Sequence, residues 1–190
     1  MRKPIIFLSL LAVGMLTIRC AALGDSLEYV NKGIKIKKVN RIVYFKPEVE
    51  PYLPEIIQPT DQAFYNAFSD FLKDAEEVKL TKINTLMPYD SVDVDYVKEI
   101  CTNNGAQVAL IPKVKYFKVG FGKYVFSNQV LVSAKLYDAE GNFIIETTYD
   151  TYKGNARLLG SAENSVKIGA KGVLKKMNKE LRRHKINTSS

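Results

Sequence analysis

Apolar residues recur along this chain with two periods, and the change of period divides it. Ile34-Lys35-Ile36-Lys37 alternates, and Arg41-Ile42-Val43-Tyr44-Phe45 is a β-branched and aromatic run that stops at Pro47. Together they predict a first strand buried on at least one face. Pro47, Pro51, Pro54 and Pro59 then punctuate a predicted loop. Phe64, Ala67, Phe68, Phe71, Leu72, Ala75 and Val78 form one apolar stripe at helical spacing, with Thr60 to cap the helix and Asp61 in its first turn. Residues 79–86 (KLTKINTL) suit a short strand. A second helix is expected over 90–102 through Val94, Val97, Ile100 and Cys101, stopped by Asn103-Asn104-Gly105.

After Gly105 the period shortens. Residues 106–111 (AQVALI) predict a buried strand, Pro112 marks a bulge or an edge, and residues 114–119 continue beyond it. Gly120-Phe121-Gly122-Lys123 reads as a turn. Val130, Val132, Ala134 and Leu136 alternate with Leu131, Ser133, Lys135 and Tyr137, residues 138–142 have hairpin-loop chemistry, and 143–152 is the returning strand. A last helix over 161–184 carries Val166, Ala170, Val173, Leu174, Met177 and Leu181 on one side. The predicted order is β-α-β-α-β-β-β-α. It describes an α/β or α+β domain with a single mixed, largely antiparallel sheet and three helices.

The N-terminus does not fit that pattern. Met1-Arg2-Lys3 is followed by 15 apolar-rich residues from Pro4 to Ile18, then Arg19-Cys20-Ala21-Ala22-Leu23-Gly24. A basic start, a short apolar core and small residues beyond it make a secretory leader. The run is short of the roughly 20 residues that span a bilayer. Two processing routes fit: cleavage after Gly24 or Ala22, or removal of 1–19 with lipidation of Cys20. The segment before that cysteine, Thr17-Ile18-Arg19, departs from a typical lipobox in carrying Arg19 where a small residue stands. The expected organisation is a leader over 1–24, a tether over 25–33, one domain over 34–185 and a tail over 186–190. The localisation that follows is export to the periplasm, with attachment to the outer membrane if Cys20 is acylated.

Charge then takes on a different meaning. The 190 residues carry a formal +8, but the leader holds three basic residues and no acids, leaving 25 basic against 20 acidic. Between residues 167 and 185, Lys167, Lys171, Lys175, Lys176, Lys179, Arg182, Arg183 and Lys185 face a single acid, Glu180. The rest of the mature chain is slightly acidic. This helix is a candidate surface for anionic lipid or another polyanion, and equally a solvated face whose basic end suits the helix dipole. Nucleic acid is a poor partner for an exported protein without a recognition motif.

Catalytic signals are sparse. The one histidine, His184, lies among basic residues near the tail, and hydrolase, zincin and phosphate-loop motifs are absent. With Cys20 lipidated or removed, Cys101 has no disulfide partner, and its apolar setting predicts a buried inert thiol. Asp90, Asp93 and Asp95 are close enough to bind a divalent cation or to serve as catalytic carboxylates. They lack the glycine and distal glutamate of an EF-hand, and acids at a helix start also act as caps. No metal, cofactor or catalytic residue is assigned.

Three pieces, Ile42-Val43-Tyr44-Phe45, Ala106-Gln107-Val108-Ala109-Leu110-Ile111, and Val132 to Asp138 with Gly141-Asn142-Phe143-Ile144, resemble the TolB amino-terminal and CsgG-like domains of bacterial envelope proteins, which include lipoprotein activators of penicillin-binding proteins. The resemblance spans most of 34–181. The Asp-Arg pair that often precedes the second helix in those domains is replaced by Met87-Pro88-Tyr89. The resemblance implies a fold and an envelope setting and transfers no functional residue. The expectation is an exported envelope protein, a lipoprotein if Cys20 is acylated, that works as a non-enzymatic binding or assembly module with an envelope protein partner. The rival expectations are a secreted carboxylate enzyme and a peripheral polyanion binder.

Overall fold

The computed structural model describes residues 28–36, 39–73, 78–118, 126–151, 161–184 and 186. The leader with Cys20, the turn at 120–123, Ala75 and Lys185 lie outside them. The elements are β1 (Glu28–Val30), β2 (Arg41–Lys46), β3 (Glu48–Glu50), α1 (Pro54–Leu72), β4 (Lys79–Leu86), α2 (Val94–Asn104), β5 (Val108–Lys118), β6 (Phe126–Asp138), β7 (Phe143–Asp150) and α3 (Ala162–Arg183). The strands make one mixed sheet in the order β1-β7-β6-β5-β2-β4, with β3 also on β5.

The sheet has a parallel half and an antiparallel half. β4 and β5 lie parallel on the two sides of β2, while β5, β6, β7 and β1 pair antiparallel in succession. The two crossovers in the parallel half run in opposite directions across β2. Since such connections are right-handed, their helices fall on opposite faces. α1 therefore packs on one face, where α3 joins it, and α2 stands alone on the other.

Each face has its own core. Tyr44, Leu110, Val114, Val132, Ala134 and Ile145 meet Phe64 and Phe68 of α1 and Val166, Ala170, Val173 and Leu174 of α3. On the far face Val43, Phe45, Ala109, Ile111 and Tyr137 meet Val97 and Cys101 of α2. α2 begins at Val94 rather than residue 90, because Asp93 is its cap: the carboxylate accepts from Tyr96 N at 3.0 Å. Gly105 closes it in the left-handed conformation, φ 59°. α3 is capped by Ser161, which accepts from Asn164 N at 3.2 Å.

Several sequence expectations need correction. The tether is not free of structure: β1 pairs with β7, Glu28 opposite Thr147. The tail is not wholly outside the fold either, since Ile186 is buried and its carbonyl accepts from Ile36 N at 2.8 Å. Ile36 makes this contact in place of a place in the first strand. The proline-rich segment is not a loop: it holds β3, and α1 starts at Pro54, where a missing N–H costs nothing because it has no intrahelical acceptor. Pro59 lies inside the helix on its exposed side. Thr60 and Asp61 are thus mid-helix and buried, not at its start. Thr60 Oγ1 is 2.7 Å from Tyr116 Oη, and Asp61 accepts from Tyr44 Oη at 3.3 Å and pairs with Lys82 Nζ at 2.7 Å. Pro112 makes neither a bulge nor an edge. It stands in register opposite Ala134 where β2 hands over to β3 on its other side.

Candidate functional site

α2 has 11 residues and β6 has 13, lengths of about 16 Å and about 44 Å. One short helix cannot cover the far face. Past Ile111 and Tyr137 the same-face positions turn polar except for Leu131: Lys113 and Lys115 on β5, Ser133 and Lys135 beside Leu131 on β6, Glu146 and Thr148 on β7, Glu48 and Glu50 on β3. With Tyr29, Tyr89 and Asp90 these residues, Glu48 and Lys135 apart, border a groove of about 360 Å³.

Lys113 is its centre. Its Nζ lies 2.9 Å from Glu48 Oε1, 3.1 Å from Glu50 Oε1 and 2.9 Å from Asp90 Oδ2. Glu48 also accepts from Tyr89 N at 2.8 Å. Lys135 Nζ donates to the Tyr89 carbonyl at 2.8 Å and sits 4.3 Å from the centre of that ring. Tyr89 Oη donates to Glu146 Oε1 at 2.7 Å, and the hydroxyls of Ser133 and Thr148 are 2.9 Å apart.

These contacts drive every perturbed group away from neutrality. Burial alone would lower Lys113, but its bonds to Asp90, Glu48 and Glu50 outweigh that and hold it well above the usual lysine range. The Lys113 hydrogen bond lowers both Glu50 and Asp90. Burial first, and then the bond to Glu146, pushes Tyr89 far up. A general acid or base works best with a pKa near the working pH, and these shifts run the other way. The groove presents fixed charges and hydroxyls, which suits binding.

Of the three predicted carboxylates Asp90 is on the groove, while Asp93 caps α2 and Asp95 points out to pair with Lys98 at 3.0 Å. The three carboxylates do not converge, and no described cluster of His, Cys, Asp and Glu could hold a metal. Cys101 is buried and free, its thiol pushed up to about 11 by burial and then by Asp138 and Glu140. It lies under α2, on the opposite side of the sheet from His184 at the end of α3, so the two form no dyad. On α3, Lys171, Lys175, Lys179, Arg182 and Arg183 are exposed, Lys167 is half-buried and pairs with Glu163 at 2.7 Å, and Lys176 is half-buried and lowered by burial. The sequence reading missed Tyr89, Lys113, Lys135 and Glu146. The hairpin register carried the signal, since it sets Lys135 opposite Glu146 and Ser133 opposite Thr148.

No family model matches the chain. No curated protein matches it either. Among solved structures, a PelC dodecamer from Paraburkholderia phytofirmans aligns over 80% of this chain and 96% of that one, at 11% identity and a TM-score of 0.51. The two share a fold. A second crystal form of the PelC dodecamer aligns at 12% identity over 80% and 95%, with a TM-score of 0.49. A lipoprotein from Neisseria meningitidis aligns at 11% over 73% and 98%, with a TM-score of 0.36. The resemblance read in the sequence is thus met as a fold shared with a bacterial protein, and none of these is named as a TolB or CsgG-like domain.

Proposed function

We propose that this protein is exported into the bacterial envelope and works there as a non-enzymatic binding and assembly module, held at the outer membrane through Cys20. The observation that carries the reading is the leader, Met1 to Gly24, set directly ahead of a one-domain fold. The locked charges of the groove support binding over turnover. PelC, whose fold this chain shares, was solved as a dodecamer, which motivates the assembly half of the proposal.

Metabolic labelling with a tritiated fatty acid tests the anchor. Wild type takes label and Cys20→Ala does not; label that persists in the variant, or none in either, removes the lipoprotein. The mass of the mature N-terminus then separates cleavage at Gly24 or Ala22 from acylation. Sedimentation velocity on the mature domain tests assembly: a species larger than one chain is expected, and a monomer at every concentration would refute it.

A further inference from the structure

The apolar side of α3 is used up. Val166, Ala170, Val173, Leu174 and Met177 are buried against the sheet. Two glycines bring the helix close enough that a Cβ at Gly169 would meet Val132 at 2.4 Å, and one at Gly172 would meet Tyr149 at 2.4 Å. The opposite side is therefore held outward in one orientation. Lys171, Lys175 and Lys179 step along it by one helical turn each, and Arg182 and Arg183 end it, all exposed. Neither Lys175 nor Lys179 forms an ion pair with a described residue. Few acids stand near the stripe: Glu163 pairs with Lys167, Glu180 is buried beside Arg183 and His184, and Asp70 of the adjoining α1 pairs with Lys73 at 2.6 Å and interacts at longer range with Lys167 and Lys171. Glu55 is the other acid exposed on α1.

The position of β1 adds a second observation. β1 starts at Glu28 opposite Thr147, and the Thr147 hydroxyl donates to the Val173 carbonyl of α3 at 3.3 Å. Cys20 is eight residues earlier, a reach of at most about 29 Å. α3 has 22 residues, about 33 Å. An acyl group on Cys20 would thus enter its membrane within one helix length of the basic stripe.

We propose that the outer face of α3 lies flat on an anionic phospholipid surface and, with the Cys20 anchor, orients the domain so that the groove faces away from the bilayer. The proposal rests on the export reading for its second attachment point. With no apolar face left to insert, the contact is electrostatic. It needs anionic headgroups and fails when salt shortens the Debye length to about 3 Å at 1 M. One acyl chain holds a protein only marginally, and a basic patch supplies the second signal that stable attachment takes.

The test uses residues 25–190, which lack Cys20 but contain both hydrophobic clusters in full. Co-sedimentation compares phosphatidylcholine vesicles with and without phosphatidylglycerol. Binding is expected only with phosphatidylglycerol at low salt. Changing Lys171, Lys175 and Lys179 together to Gln should weaken it on the order of 100-fold, at about fivefold for each lysine near the surface. Changing Arg41, Lys79 and Lys98 to Gln makes the same change in net charge on other surfaces and should leave it within about twofold. Circular dichroism confirms that both variants stay folded. Binding to neutral vesicles, equal loss in the two variants, no loss in the first, or capture by heparin without vesicle binding would each overturn the proposal. Because Cys20 is absent from this protein, failure here leaves the fatty-acid labelling untouched, and failure of the labelling leaves this result standing.

Discussion

On one face of the sheet α1 and α3 lay 19 and 22 residues of helix over the strands; on the other α2 lays 11. The first face is closed by an aromatic and aliphatic core in which Tyr44 packs against Phe64, Tyr65 and Phe68. The second has a small core at one end and a charged groove at the other. The difference follows from topology, since among the described residues the crossover through α2 is the one connection that passes over that face. Strands long enough to back two helices on one side then extend beyond a single short helix on the other. The polar groove is what the sequence places on the surplus. Apolar burial stabilises the first face, and paired charges line the second.

Removing core from the closed face should have the largest effect. Phe64 is fully buried against Tyr44. Phe64→Ala should cost about 3–5 kcal/mol, read as a fall in the urea midpoint with an unchanged slope. A loss below about 1 kcal/mol would mean that this face is not the stabilising one.

The groove should give a smaller effect with a signature in pH. Lys113→Met leaves Glu48, Glu50 and Asp90 without their shared cation and should cost about 1–2 kcal/mol at neutral pH, these carboxylates being partly solvated. Glu50 and Asp90 have pKa values lowered in the folded state. Their contribution is present above the unfolded carboxylate range near pH 4, and it is lost as pH falls through the folded values. Lys113, raised in the folded state, contributes fully below the usual lysine pKa near 10.4 and loses that only in stronger alkali. Urea midpoints measured from pH 6 to pH 3 should fall steeply in wild type and less steeply in Lys113→Met. Parallel curves would show that the network adds nothing through these groups.

How much of this was legible in the sequence varied with the range of the interaction. The 143–150 hairpin strand, the 79–86 strand and the stripe of α3 were readable because their signals are local: period, turn residues and caps. The start of α1 was misread because Pro54 and Pro59 look like breakers until one knows which sits at the first helical position and which on the exposed side. β1 and Ile186 were missed because three residues and one residue carry no period; partners more than a hundred residues away in sequence define them. The groove was half legible. The alternation of Leu131, Ser133, Lys135 and Tyr137 with the apolar set of β6 was visible, but the convergence of the groove residues needs the register of three strands and the loop that brings Tyr89 over Lys135.

The smallest effect belongs to the acids at the start of α2, and it separates two chemistries by shape rather than size. Asp93 accepts from Tyr96 N at 3.0 Å and has no cation beside it, while Asp95 is satisfied by Lys98 three residues on. If Asp93 is a cap, Asp93→Ala should cost about 1 kcal/mol, and Asp93→Asn or Asp93→Ser should restore most of it, since either side chain offers an oxygen to the same N–H. If Asp93 served a divalent cation with Asp90 and Asp95, charge would matter: Asn would fail as Ala does, and calcium or magnesium would raise the wild-type melting temperature. The expected outcome is rescue by Asn and a melting temperature insensitive to either cation. The open face then owes its one covering helix to an ordinary cap, and its charged chemistry lies in the groove around Lys113.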